Sequence, residues 1–226
     1  MPLWDRDWSI RGPYQYWWRD IVPLIPEGTG LCVDVGCGAG EQKSIIEQKG
    51  YNWLGIDVQD RAPASLGVRP ITDGVFPVAD SSANCLLCRQ ILEHVEDLDG
   101  FAAECYRILE PAGFIYGSHS WLEPDHDNAS FFNLSHDGIR RILSKHSFEL
   151  VVVEPGIHVG VLLLYRLFNS GVASKCARLV RLVQERSDRI RLFQKRPEDA
   201  GLTLERLQRE NALRFAGHLL WIARKS

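Results

Sequence analysis

Val33-Asp34-Val35-Gly36-Cys37-Gly38-Ala39-Gly40 decides the fold. An apolar run of strand character enters three closely spaced glycines, and a helix-like pattern follows. Glycine has no Cβ, so the backbone can turn tightly and approach a bound molecule. Amides at the start of a following helix favour negative charge. A loop of this kind suits a nucleotide-like ligand. Dinucleotide sites carry G-x-G-x-x-G; here Gly36, Gly38 and Gly40 alternate, and Glu41 stands where that pattern wants glycine or alanine. Downstream, Tyr51-Asn52-Trp53-Leu54-Gly55-Ile56-Asp57-Val58 reads as a second strand ending in an acid. Asp57 lies 17 positions after Gly40, near the roughly 20-residue offset of a ribose-binding acid. One carboxylate can accept hydrogen bonds from both ribose hydroxyls. The plainer alternatives are an ordinary strand-to-helix turn and a surface Asp capping the next turn.

The segments that follow keep the same order. Asp34 precedes Gly36 by two positions. Ile71-Thr72-Asp73-Gly74-Val75-Phe76-Pro77-Val78 supplies an acid and then an apolar-proline pattern. Cys85-Leu86-Leu87-Cys88-Arg89-Gln90-Ile91-Leu92-Glu93-His94-Val95 is an apolar strand that runs into a predicted helix start. Phe101, Ala102, Cys105, Ile108 and Leu109 fall at helical spacing. Glu110-Pro111-Ala112-Gly113 is a stop signal before a strand at Phe114-Ile115-Tyr116-Gly117. Over residues 30–120 this succession resembles the class I S-adenosylmethionine-dependent methyltransferases, of the type 11 and type 23 kind. The departure is Ala83-Asn84, where that family commonly has Phe-Asp.

The resemblance implies an α/β, Rossmann-like fold: a mostly parallel seven-stranded sheet with helices on both faces, plus a helical insertion before the last strand. It implies S-adenosyl-L-methionine as cofactor and S-adenosyl-L-homocysteine as product. Asp34, Gly36, Cys37, Gly38 and Gly40 would meet the amino-acid part, Asp57 and Val58 the ribose, and Asp73, Gly74 and Val75 the adenine. Gln90 and Ile91 would lie near the methyl end.

The length, 226 residues, suits one α/β domain with an insertion. Residues 29–156 and 213–226 are assigned to the core. Residues 1–28, rich in Trp and Tyr, are a lid over the cofactor or a helix packed on the sheet. Residues 157–212 are a helical insertion: a cap, a dimer interface or an interfacial element. A basic amphipathic helix is predicted over residues 172–196, and residues 157–196 are a candidate for peripheral contact with an anionic membrane, though such helices are more often ordinary packed surface helices. From Ser170 onward there are 13 Lys+Arg against 6 Asp+Glu, while the whole chain carries a net charge of −3. That overall charge does not favour a nucleic-acid partner. The start of the chain lacks the pattern of a secretory leader. Six cysteines read as reduced thiols of a cytoplasmic protein. Cys85-x-x-Cys88 sits on a predicted buried strand with no second pair to complete a zinc site, so no metal is expected. Monomer and homodimer both remain open.

Methyl transfer to a hydroxyl benefits from a general base. Ser118-His119-Ser120-Trp121-Leu122-Glu123-Pro124-Asp125-His126-Asp127 follows a core strand at the edge where open α/β sheets bind ligands. His126 is the first candidate base and His119 the second, with Asp125 or Asp127 able to orient either ring. His94 and His136 are weaker candidates; His158 and His218 read as structural. The acceptor is a small molecule or a glycan or lipid-linked sugar, with oxygen preferred. The alternatives are a cofactor-binding scaffold with little activity of its own, or an RNA methyltransferase.

Overall fold

The computed structural model describes residues 21–59, 61–123, 129–157 and 203–226, with positions 159, 160, 162, 163, 183, 186 and 187. The aromatic stretch before Ile21, the loop with Asp125, His126 and Asp127, His158, and most of the insertion with its predicted helix over 172–196 lie outside the described residues.

Seven strands form one sheet: β1 (Leu31–Val35), β2 (Asn52–Asp57), β3 (Arg69–Pro70), β4 (Ala83–Arg89), β5 (Leu109–Ser120), β6 (Phe148–Pro155) and β7 (His218–Lys225). The order is β3-β2-β1-β4-β5-β7-β6. The pairs β1–β2, β2–β3, β1–β4 and β4–β5 are parallel, whereas β7 runs antiparallel to both neighbours. This is the mostly parallel seven-stranded sheet that the sequence implies. The chain winds outward from β1 to β3, then returns to place β4 on the other side of β1. That reversal opens a crevice at the carboxyl ends of β1 and β4, where such sheets bind ligands.

Side chains alternate across a strand, and the core divides accordingly. Val33, Val35, Leu86 and Cys88 face one apolar cluster, with Cys105 and Ile108 of α2 (Leu98–Ile108) and Ile139 and Leu143 of α3 (His136–Lys145). Cys32, Cys85 and Leu87 face the other, with Ile46 of α1 (Lys43–Gln48) and Ile21, Val22 and Ile25. Helices therefore cover both faces. Cys85 and Cys88 look to opposite faces, and the five described cysteines are free and buried.

Local chemistry ends the helices. Asp97 caps α2 by accepting from Gly100 N at 2.9 Å, and Ser135 caps α3 by accepting from Gly138 N at 3.2 Å. Asn84, the departure from the family pattern, accepts from Leu31 N at 2.6 Å and donates to Glu110 at 2.8 Å, tying β1 to β5 across β4.

Three expectations are corrected. The helix expected directly after the glycine loop starts only at Lys43 and is short. Gly36, Gly38 and Gly40 all have positive φ, which a right-handed helix excludes. The helix expected from Gln90 is a single 3-10 turn at Leu92–His94, because Gln90 itself has φ +50°. Glu110–Gly113 is not a break between elements: β5 begins at Leu109, pairs with Ala83, and shifts register at an irregularity where Ala112 takes φ +62°.

The insertion leaves and rejoins the core at one place. Gly217 N donates to Ile157 O at 2.5 Å and Val159 N donates to Phe215 O at 2.7 Å. Its final helix, α4 (Leu204–Arg214), is capped by Thr203 and runs past residue 212.

Candidate functional site

The glycine loop is held by backbone bonds to β2. Gly36 N and Cys37 N donate to Ile56 O at 2.8 and 3.3 Å, and Gly40 N donates to Cys37 O at 2.9 Å. Gly36 cannot be larger, since a Cβ there would stand 2.5 Å from Ile91. Gly38 differs: its φ is +54° and a Cβ would meet nothing within 4 Å. The loop thus packs its first glycine on the β4 side and leaves its middle one facing open space.

Asp57 closes the loop from the end of β2. It is buried, and its carboxylate accepts from Gly38 N and Gln59 N, both at 2.8 Å. The two segments predicted to contact the same ligand are therefore joined directly. Each carboxylate oxygen keeps further lone-pair capacity. Val58 beside it is an exposed apolar residue.

Asp34 lies beneath the loop, 2% exposed, accepting from Trp53 Nε1 at 3.1 Å. Burial pushes its carboxyl up to about 7, against the pull of Trp53 and of the Arg89 guanidinium. Burial likewise lowers Arg89, at the end of β4. The Cys37 thiol is raised to about 12 by burial and by Asp34 and Asp57, so it is inert as a nucleophile.

Asp73 and Gly74 form a tight turn between Thr72 and Val75, with φ of +50° and +76° and a Val75 N to Thr72 O bond of 2.9 Å. All four residues are exposed. Phe76, next in line, donates from its N–H to Glu104 at 2.7 Å, and Arg107 bonds the carbonyls of Phe76 and Val78. The turn projects from a fixed base.

On the other side of the crevice, Gln90 N donates to Ser118 O at 2.9 Å, and Gln90 Oε1 lies 3.4 Å from Ser120 Oγ. His94 bonds Ala129 O through Nδ1, and His136 sits beside Asp137 on α3.

His119 has a different setting from the one expected of a base. It is fully buried, and burial lowers its imidazole to about 4. Nδ1 accepts from the Trp221 indole N–H at 3.0 Å, so the proton is on Nε2, which donates to Leu134 O at 2.9 Å. Both nitrogens are engaged, leaving no lone pair for an acceptor. This ring braces β5 against β7.

Four buried polar residues gather at this end of the sheet: Glu93, Ser120, Glu123 and His218; of these the sequence marks only His218, as structural. A histidine and two acids among apolar neighbours need partners, and that was their one sequence signal. Among the described residues no group of three or more His, Cys, Asp or Glu could hold a metal ion, and no helix is long and apolar enough to cross a membrane.

Comparison with known proteins agrees with this geometry. Residues 33–117 match the family model described as "Methyltransferase domain". The ubiquinone biosynthesis O-methyltransferase of Pseudomonas aeruginosa (strain UCBPP-PA14) is 28% identical over 133 residues, covering 50% of this chain and 55% of that protein. The chain thus spans about half the length of the curated relatives it matches. A SAM-dependent methyltransferase from Archaeoglobus fulgidus superposes with a TM-score of 0.62 at 16% identity, over 95% of this chain and 96% of that one. An S-adenosylmethionine-dependent methyltransferase from Mesorhizobium loti gives 0.59 at 17% identity, over 93% and 98%. At those identities the solved structures speak for the fold, and the family match covers the glycine loop through β5. The chain carries a class I S-adenosylmethionine-dependent methyltransferase domain.

Proposed function

We propose that this protein transfers the methyl group of S-adenosylmethionine to an oxygen of a small molecule or a sugar-bearing acceptor. The observation that carries the reading is the Asp57 carboxylate bound to Gly38 N at 2.8 Å, beside a glycine whose missing Cβ would face open space. A ribose-binding acid and a ligand-approaching loop are thereby one unit. The residues present fit the cofactor. Gly36, Cys37, Gly38 and Gly40 with Asp34 would hold its amino-acid end, Asp57 and Val58 its ribose. Asp73, Gly74 and Val75 would border the adenine; the exposed Val58 and Val75 are apolar surface for a purine to cover. When bound, S-adenosylmethionine supplies a methyl group already activated on a sulfonium.

The protein's own work is orientation. Gln90 and Ile91, at the carboxyl end of β4, would align the acceptor with the methyl end. Such alignment can contribute roughly 7 to 11 kcal/mol in the best cases. For a hydroxyl acceptor, His126 is the proposed base, a contribution of about 10² to 10⁴-fold; the His119 ring serves to position β5 and β7 instead. Oxygen is preferred because the Pseudomonas aeruginosa relative named above carries "O-methyltransferase" in its name.

The test is incubation with methyl-labelled S-adenosylmethionine and three acceptor pools: small phenols and catechols, sugars and glycans, and transfer RNA. Label in a hydroxyl of either of the first two supports the reading. Label confined to RNA, or cofactor binding with no label in any pool, overturns it in favour of an RNA enzyme or a binding scaffold.

A further inference from the structure

The backbone donors of the glycine loop are committed within the protein. Gly36 N and Cys37 N donate to Ile56 O, Gly38 N to the Asp57 carboxylate, and Gly40 N to Cys37 O. The helix that follows begins only at Lys43 and is short. An anion approaching this loop therefore does not meet the row of amides that such loops can offer.

The loop also stands among acids. Asp34 lies beneath it, Asp57 closes it and Glu41 follows it, and the charges of Asp57 and Glu41 both bear on the Asp34 carboxyl. The amino-acid end of S-adenosylmethionine carries an ammonium and a carboxylate on one carbon. Three protein carboxyls suit the ammonium. They repel the carboxylate, and the repulsion is stronger in a partly dry crevice than in water. A carboxylate held there needs a cation from the protein.

Arg89 stands where that cation belongs. It is the last residue of β4. The register Asp34↔Leu87 and Val35↔Cys88 sets it one step beyond the paired part of β1, beside the start of the loop. Side chains alternate along a strand. Arg89 thus shares a face with Leu87 and Asp34, the face on which Cys37 of the loop packs. It is half-buried, and its guanidinium interacts through space with both Asp34 and Glu41. Two lysines near this face are engaged elsewhere. Lys43 Nζ lies 5.4 Å from the centre of the Trp53 ring and 3.7 Å from Glu47, and Lys49 donates to Ile25 O. A guanidinium has five N–H donors in a planar fork, so Arg89 can keep its protein neighbours and still present two donors to a ligand carboxylate.

We propose that Arg89 binds the carboxylate of the cofactor's amino-acid end through a two-point guanidinium contact, while Asp34 faces the ammonium. This assignment rests on the methyl-transfer reading above and adds a residue to the cofactor site proposed there. Opposite charges side by side on one sheet face match the two charges on one ligand carbon. The pair selects adenosyl compounds with an intact amino-acid end over those that have lost the carboxylate.

Calorimetry of the full chain tests this with two ligands, S-adenosylmethionine and its decarboxylated form, which keeps the sulfonium and the ammonium. The readout is the ratio of their dissociation constants. The wild type is expected to favour S-adenosylmethionine, and Arg89→Met to reduce that preference by roughly 10- to 100-fold, as for loss of a charged two-point hydrogen bond. A variant that only loosened the fold would weaken both ligands alike and leave the ratio unchanged. Should Arg89→Met fail to fold, Arg89→Lys keeps the charge and loses the fork, and a smaller fall in the same ratio is expected. An unchanged ratio in the variant that folds overturns the assignment, while binding of both ligands by the wild type leaves the methyl-transfer reading standing. Failure of the wild type to bind either ligand overturns that reading, and the Arg89 assignment with it.

Discussion

Replacing His119 with asparagine isolates one buried ring and gives a stability change with a defined pH course. His119 has an ordinary value near 6.5 and is lowered to about 4 in the fold by burial. The gap, at about 1.4 kcal/mol per tenfold, corresponds to about 3 kcal/mol. A histidine lowered in the fold binds protons more readily when unfolded. Between about pH 6.5 and 4 the unfolded chain holds the extra proton, so this contribution is fully present above pH 6.5 and is lost as pH falls to 4. Asp34, raised to about 7, acts with the opposite sign in the same range, since there the folded chain binds more protons. The wild-type curve mixes the two, and subtracting the variant removes Asp34. Near pH 7 the Asn variant is expected to be less stable by about 1 to 3 kcal/mol, because the Leu134 carbonyl loses its donor while Asn still offers Trp221 an acceptor. Urea melts from pH 7 to 4 should show this gap shrinking by about 3 kcal/mol and approaching zero or reversing. A gap constant to within about 1 kcal/mol would refute the assignment of His119 as a neutral, doubly bonded ring.

Other substitutions probe the remaining parts. Gly38→Ala should cost only about 1 kcal/mol of stability, for its positive φ, yet weaken S-adenosylhomocysteine binding markedly, because the new methyl enters open space on the ligand side; equal affinity by calorimetry would remove Gly38 from the site. Cofactor binding should strengthen as pH rises through about 7, because the cationic cofactor favours ionised Asp34; titrations in buffers of different ionisation enthalpy should detect proton release below that pH, and Asp34→Asn should abolish it. Gly117→Ala would set a Cβ 2.0 Å from the Trp221 ring, with an expected loss of about 1 to 3 kcal/mol or more in a thermal melt; an unchanged Tm would mean that this ring packs elsewhere.

The glycine loop and Asp57 were legible because each depends on near neighbours in the chain. A strand, a run of glycines and an acid at the next strand's end are local patterns, and the register Val35↔Ile56 brings them side by side. The helix starts were less legible. Positive φ at Gly40 and Gln90 delays the helix in both places, and a non-glycine residue such as Gln90 gives no sign of it in sequence. His119 was misjudged because proximity to the ligand edge does not tell which face a strand residue takes; its ring points to Trp221, 102 positions later. The buried cluster of Glu93, Ser120, Glu123 and His218 was illegible as a unit. Glu123 and His218 are 95 positions apart, and Glu93 sits in a motif already explained by packing. Only the meeting of β4, β5 and β7 assembles them.

The central claim is that the crevice between β1 and β4 holds S-adenosylmethionine with Asp57 on its ribose. Calorimetric titration of S-adenosylhomocysteine into the wild type and into Asp57→Ala tests it most directly. The expected result is saturable one-to-one binding to the wild type and a roughly 10- to 100-fold weaker affinity in the variant, for hydrogen bonds to a charged acceptor of about 1.5 to 3 kcal/mol. Equal affinity in the two proteins, or no binding to the wild type, would contradict it.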